Sequence, residues 1–317
     1  MDALKQCMND NEPLVLDGGF STELAAQGVE LKGDPLWGSG LLHTNPQAIR
    51  DVHYRFLLSG ADVISTATYQ ASVAGFIDHL NLSSERAREL IMSGVQLAKE
   101  TVETFVSERH PTGPTCPLVA GSVGPFGAVL LDGSEYTGAY AAGMSVGEFK
   151  DWHRPRMECL AAAGADLFAI ETIPSIKEAE ALVELLREFP DAKAWLSFSC
   201  KDGKSISDGS PFAGAVQMAR RSTQLAAVGV NCCPPSLVAP VLESAQSLRS
   251  PDMAWVVYPN SGEEWVRERG WLSSDKESAL LPDLSRGWVK QGAALIGGCC
   301  RIGPAHIADL RQQLKRG

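Results

Sequence analysis

The sequence predicts a single (β/α)8 TIM barrel, on three observations: eight short apolar runs, helical-period segments between them, and a repeated small-residue step before several runs. The runs lie at 14–19, 62–69, 118–125, 166–172, 194–200, 227–233, 254–260 and 294–300, rich in β-branched residues and closed by small or polar ones. Helical spacing falls at 45–59, 84–107, 145–163, 175–189, 213–224 and 236–248. Strands apolar enough to be buried on both faces suit a parallel sheet. Eight of them alternating with helices suit a closed barrel better than an open doubly wound sheet. One domain spanning 1–317 is expected, because no internal repeat or low-complexity tract marks a second.

Taken in order, the first run gives way to Asp17-Gly18-Gly19, a turn. The helix at 45–59 places Ile49, Val52, Phe56 and Leu57 on one face, and Gly60 is its natural stop. Gly60-Ala61-Asp62, Gly164-Ala165-Asp166 and Gly292-Ala293-Ala294 then read alike, as helix C-cap followed by strand. Ser145 with Glu148 reads as a capping box opening the 145–163 helix. The surrounding Gly143-Met144-Ser145-Val146-Gly147 resembles a hydrolase nucleophile elbow but lacks the strand that motif requires. Three stretches, 127–143, 201–212 and 261–286, exceed plain connections, and all follow strands, so they should wall the C-terminal mouth. A closing helix begins at Gly303-Pro304 and ends at Lys315-Arg316-Gly317.

Composition narrows the function. A chain of 317 residues, 44% hydrophobic, can bury a core without disulfides or a structural metal. Its net charge of −10 argues against a nucleic-acid or anionic-membrane partner. No apolar run follows a basic start, and no stretch is long and apolar enough to span a bilayer, so a cytoplasmic location is expected. The six histidines show no metal-binding spacing and are expected on helices or the surface.

Eight cysteines in a cytoplasmic chain call for metal or thiol chemistry rather than disulfides. Two vicinal pairs, Cys232-Cys233 and Cys299-Cys300, stand at the ends of the sixth and eighth runs, which a barrel can aim at one level. Adjacent strand residues face opposite ways, so Cys299 and Cys300 converge only if the strand ends there, which Gly297-Gly298 permits. Three readings stand: a zinc site with an open fourth position, small buried hydrophobes, and a thiol oxidoreductase or redox sensor. Cys7, Cys116, Cys159 and Cys200 read as packing or loop residues.

Eight segments along nearly the whole chain together resemble the homocysteine S-methyltransferases. They are Asp17-Gly18-Gly19-Phe20-Ser21-Thr22-Glu23-Leu24, Thr68-Tyr69-Gln70-Ala71-Ser72, Gly121-Ser122-Val123-Gly124-Pro125, Asp132-Gly133-Ser134-Glu135-Tyr136, Glu171-Thr172, Gly229-Val230-Asn231-Cys232, Tyr258-Pro259-Asn260-Ser261-Gly262-Glu263 and Gly297-Gly298-Cys299-Cys300-Arg301. The resemblance implies a zinc-dependent barrel with Cys232, Cys299 and Cys300 as ligands. Cys233 stands where the family has none, so a closed four-cysteine site is the alternative arrangement. It further implies that Asp17, Gly18 and Glu171 hold the amino acid end of L-homocysteine, with Thr66, Ser122 and Asn231 as further pocket residues. Trp37 and Tyr69 match positions near the methyl donor, where aromatic faces suit a sulfonium. The implied reaction transfers a methyl group from S-methylmethionine, or from S-adenosylmethionine as the weaker donor, to homocysteine, with no protein general base. Betaine users of the family tend to carry an extension beyond the barrel, and folate users whole modules. This chain ends soon after Cys300, which points away from both.

Overall fold

Seven parallel pairings run through an eight-stranded sheet in the order β1, β10, β7, β6, β5, β4, β3, β2. These strands are β1 (Leu14–Val15), β2 (Val63–Ser65), β3 (Leu118–Val123), β4 (Leu167–Ile173), β5 (Ala194–Phe198), β6 (Leu225–Asn231), β7 (Ala254–Tyr258) and β10 (Ala293–Ile296). A parallel bridge between Leu16 and Val63 joins the two ends of that order and closes the ring. The computed structural model describes residues 12–31, 33–109, 117–250, 252–266, 270–272 and 280–315. Cys7, Cys116 and the terminal Arg316-Gly317 lie outside them, as does part of the 261–286 stretch.

The strands bury both faces, as a parallel barrel demands. One cluster gathers Leu14, Leu16, Val63, Leu118, Ala120, Leu167, Ala169, Trp195, Ala227, Val256, Tyr258 and Leu295, mostly at alternate positions of successive strands. The intervening residues, such as Val15, Ile64, Val119, Phe168, Leu196 and Val257, pack under the surrounding helices. The bulk of Trp195 and Tyr258 is accommodated by the alanines at 120, 169 and 227.

Each strand-opening step takes the expected form. Gly60, Gly164 and Gly292 have φ of 90°, 78° and 103°, the left-handed region that ends a helix at little cost only with glycine. Asp62 and Asp166 then accept the N–H of Val15 and Val119 on neighbouring strands at 2.9 and 2.7 Å. Ser145 and Glu148 form the capping box at the start of the helix Val146–Ala162.

Strand ends and one insertion differ from expectation. Seven of the eight strands end two to four residues before the apolar runs do, and β4 ends one residue past its run. The 261–286 stretch is not all insertion: a short antiparallel ribbon, β8 (Glu264–Val266) with β9 (Gly270–Leu272), precedes a helix at Leu281–Gln291. Among the described residues no helix is long and apolar enough to cross a membrane.

Candidate active site at the barrel mouth

Backbone turns at two strand ends assemble three thiols. Asn231 ends β6, and Cys232 follows with φ of 50°, a conformation that costs a non-glycine residue energy and marks a constrained site. Its N–H is tied to Tyr258 O at 3.1 Å. After β10 the chain folds against the end of β1. A side chain on Gly297 would lie 2.6 Å from Leu16 Cβ and 2.7 Å from Asp17 O, so only glycine fits. Gly298 N–H donates to Asp17 O at 3.0 Å and Cys299 N–H to Pro259 O at 2.8 Å. The strand has ended, and Cys299 and Cys300 therefore both turn to the mouth.

The sulfurs of Cys232, Cys299 and Cys300 all lie within 4.8 Å of one another. Cys232 Sγ and Cys300 Sγ are 3.6 Å apart, a contact and not a disulfide. Donation from the Cys299 and Cys300 thiols pulls the Cys232 pKa well down, and its charge pushes theirs up. Three sulfur donors so close together are the set a soft divalent cation would deprotonate and fill. Cys233 is buried and its thiol hydrogen-bonds with Cys200, so among the described residues the cluster holds Cys232, Cys299 and Cys300 without Cys233.

Beside the thiols stand two carboxyl groups that form no ion pair among the described residues, although the charge of Arg156 reaches Glu171. Asp17 accepts the Ser65 N–H at 2.7 Å, and burial, reinforced by the charge of Glu171, pushes its pKa up to about 8. Glu171 accepts hydrogen bonds from the Ser122 and Tyr258 hydroxyls, and burial pushes it up to about 7. Thr66 Oγ1 accepts the Ser122 N–H at 3.0 Å and Thr68 Oγ1 donates to Ser122 O at 2.8 Å, fixing that end. Tyr258 in turn receives the Trp195 indole N–H at 2.9 Å and contacts Ser197 Oγ at 2.5 Å.

Asn231 holds the two halves together. Thr172, directly after Glu171, has φ of 58°. Its N–H donates to Asn231 Oδ1 at 2.8 Å, and Asn231 Nδ2 donates to its hydroxyl at 2.7 Å. Ser197 Oγ donates to the same Oδ1, also at 2.8 Å. One buried amide therefore sets the turn carrying Glu171 and precedes Cys232 in the chain.

A sequence model of the homocysteine S-methyltransferases matches residues 14–314. The chain belongs to the homocysteine S-methyltransferase family. Betaine-homocysteine S-methyltransferase of Drosophila melanogaster is 43% identical, with 96% of this chain and 95% of that one covered. Homocysteine S-methyltransferase of Escherichia coli K12 is 42% identical over 97% of each chain. The crystal structure of the Escherichia coli homocysteine methyltransferase MmuM in its metallated form superposes with a TM-score of 0.87 at 40% identity, covering 98% of this chain and 99% of that one. Methyl transfer to homocysteine is accordingly the activity of this chain, and the oxidoreductase reading of the cysteine pairs gains no support from these relatives. The Drosophila relative, named for betaine, has nearly the length of this chain, so the missing extension does not argue against betaine as donor.

In this homocysteine S-methyltransferase the roof of the mouth comes from the insertion after β3. It carries Tyr136, whose hydroxyl lies 3.5 Å from Cys232 Sγ while its ring stays 38% exposed. A buried network anchors this roof. Glu178 accepts the Phe126 N–H at 2.6 Å and the Tyr140 hydroxyl at 2.5 Å, and pairs with His153 Nε2 at 2.8 Å. Burial pushes His153 down to about 4, so the ring is neutral. Arg156 donates to Tyr69 O at 2.7 Å, to Gly124 O at 2.6 Å and contacts His153 Nδ1 at 2.9 Å. Tyr69 is thereby held at the mouth with its hydroxyl bonded to Thr172. Trp37, at φ of 49°, donates its indole N–H to Ser21 Oγ at 2.6 Å. Sequence reasoning quoted Tyr136 and Tyr258 inside motifs without assigning them a role, and passed over Ser65, Ser197 and Arg156.

Proposed function

We propose that residues 1–317 form one cytoplasmic domain whose mouth transfers a methyl group from S-methylmethionine to L-homocysteine, with a zinc ion held by Cys232, Cys299 and Cys300. The observation that carries the reading is the convergence of those three thiols within 4.8 Å beside two carboxyl groups that form no ion pair among the described residues. Zinc, when bound, leaves a fourth position for the substrate thiol and favours its ionised form at neutral pH.

The residues then divide the remaining work. Asp17 and Glu171 receive the homocysteine ammonium, which relieves the cost of burying their charges. The Gly18 N–H faces the substrate carboxylate, since Gly19 N–H is already given to Ile302 O at 2.8 Å. Ser122 and Thr66 orient Glu171, and Asn231 fixes its turn. Tyr69 and Trp37 offer aromatic faces to the sulfonium. As the homocysteine sulfur forms its bond to the methyl carbon, the old carbon–sulfur bond breaks and its electron pair stays on the leaving sulfur. That product is a neutral thioether, so no general acid or base is needed. Alignment of the two sulfurs with the methyl between them is the protein's main contribution.

A cavity of about 370 Å³ lined by Tyr136, Cys232, Cys233, Pro234, Asn260 and Glu263 suits an amino-acid-sized donor better than an adenosyl one. Betaine carries its methyl on nitrogen, a poorer leaving centre. The test is methionine formation from homocysteine with S-methylmethionine, S-adenosylmethionine and betaine at equal concentration. S-Methylmethionine should be fastest and betaine should give no measurable turnover; betaine turnover comparable to the sulfoniums would overturn the donor assignment.

A further inference from the structure

Four buried or half-buried carboxyl groups near the mouth have evident partners. Asp17 has Ser65, Glu171 has Ser122 and Tyr258, Glu178 has Phe126, His153 and Tyr140, and Glu263 has Arg301 at 2.7 Å. Glu135 differs. It lies in the turn Ser134–Tyr136 that the insertion after β3 lowers over the thiols, and its Oε2 is buried with no hydrogen-bond partner. A buried carboxylate without a partner costs free energy, so a protein retains one at a site chiefly where a ligand completes it.

The surroundings of Glu135 say what that ligand must supply. Its own backbone N–H gives the carboxyl group one hydrogen bond, yet burial first, then the charges of Cys232 and Asp132, push its pKa up to about 7, and Oε2 keeps no partner among the described residues. Its backbone is held rigidly: Glu135 O accepts the Ser199 hydroxyl at 3.1 Å, and a side chain on Gly127 would lie 2.8 Å from Glu135 N. The next residue touches Cys232 Sγ through its hydroxyl. The backbone that carries this half-buried side chain is thus held beside the thiols, with Oε2 buried.

We infer that Glu135 is the counter-ion for the sulfonium of the methyl donor, and so a specificity-determining residue on the donor side. The inference rests on the donor reading above and deepens it. The homocysteine ammonium is already met by Asp17 and Glu171 at the ends of the barrel strands, whereas Glu135 comes from the insertion over the mouth, next to the residue whose hydroxyl touches Cys232 Sγ. The transferred methyl must lie one bond from the acceptor sulfur and one bond from the donor sulfur, which brings the sulfonium close to the thiol cluster. A sulfonium offers positive charge without an N–H, matching an oxygen that has charge to balance and no donor to accept from. During transfer the sulfonium sulfur keeps the electron pair of the breaking bond and becomes neutral. Glu135 therefore binds the donor more strongly than the thioether product, favouring donor capture and product release, so its removal should raise donor KM without lowering kcat.

The test compares S-methylmethionine with L-methionine, its uncharged-sulfur counterpart, by equilibrium titration of the metal-loaded enzyme. Wild type should prefer the sulfonium. Glu135→Gln should weaken S-methylmethionine about ten- to hundredfold while leaving methionine, homocysteine and the metal content unchanged, and Glu135→Asp should restore part of the preference. Equal weakening of both ligands, or of neither, would overturn the inference. A wild type that does not distinguish the two ligands would count against the donor reading itself, an outcome separate from loss of effect in the variant alone.

Discussion

Replacing Glu171 by Gln tests the homocysteine end of the site with little change of shape. The amide keeps an oxygen for the Ser122 or Tyr258 hydroxyl, so the fold should survive, but the charge that answers the substrate ammonium is gone. A charge-assisted hydrogen bond contributes about 1.5–3 kcal/mol, which corresponds to roughly 10- to 150-fold in affinity. Asp17 remains, so binding should weaken and not vanish. The pH dependence gives a second handle. Burial holds Asp17 at about 8 and Glu171 at about 7, above their unfolded values, so the free protein keeps protons that the unfolded chain has lost. Stability of the ligand-free protein should therefore fall as pH rises from the ordinary carboxylate range toward about 8. The substrate ammonium favours the ionised carboxylates, so homocysteine binding should tighten over the upper part of that range and release protons. Calorimetric titration of homocysteine at several pH values, in buffers of different ionisation enthalpy and with metal content checked, reads both effects. An unchanged affinity in the Gln variant, with the same proton release as wild type, would refute the assignment of Glu171 to the ammonium.

Three further sets of substitutions follow. Cys232→Ala, Cys299→Ala and Cys300→Ala should each lose bound metal and activity together, while Cys233→Ala, whose thiol pairs with Cys200, should keep both by elemental analysis and assay. Full metal retention in Cys232→Ala would show that the wrong neighbour was assigned. Asn231→Ala removes three buried hydrogen bonds to Thr172 and Ser197 and should cost about 2–4 kcal/mol in urea unfolding; a loss within the error of the method would contradict its place as the clamp. Arg156→Met leaves the Tyr69 and Gly124 carbonyls without their donor, so it should destabilise by roughly 2–4 kcal/mol and raise donor KM more than homocysteine KM. Equal effects on both KM values would place Arg156 in the general scaffold.

The barrel was legible because its strands are buried on both faces and its helix stops are glycines, signals that depend on neighbours in sequence. The convergence of Cys299 and Cys300 was legible for a related reason: Gly297-Gly298 permits the chain to leave the strand. The left-handed turns at Thr172 and Cys232 were not, because nothing local favours them and a distant side chain or carbonyl holds each one. The Glu178–His153–Arg156 network escaped notice for the same cause. His153 and Arg156 look like ordinary helix residues until the roof of another segment closes over them. The early ends of β1 and β6 leave Asp17 and Cys232 beyond the strands at the mouth, whereas Glu171 stays inside β4. The donor is the part least legible in the sequence, since a relative 43% identical and covered over 95% of its length is named for betaine.

The central claim is that Cys232, Cys299 and Cys300 hold a zinc ion with one position open to the substrate thiol. X-ray absorption at the zinc edge, on protein of known metal stoichiometry before and after homocysteine is added, tests it most directly. The account predicts about one zinc per chain with three sulfur neighbours and a lighter atom, changing to four sulfurs with homocysteine. Little bound zinc, or a sulfur shell that homocysteine does not change, would contradict it.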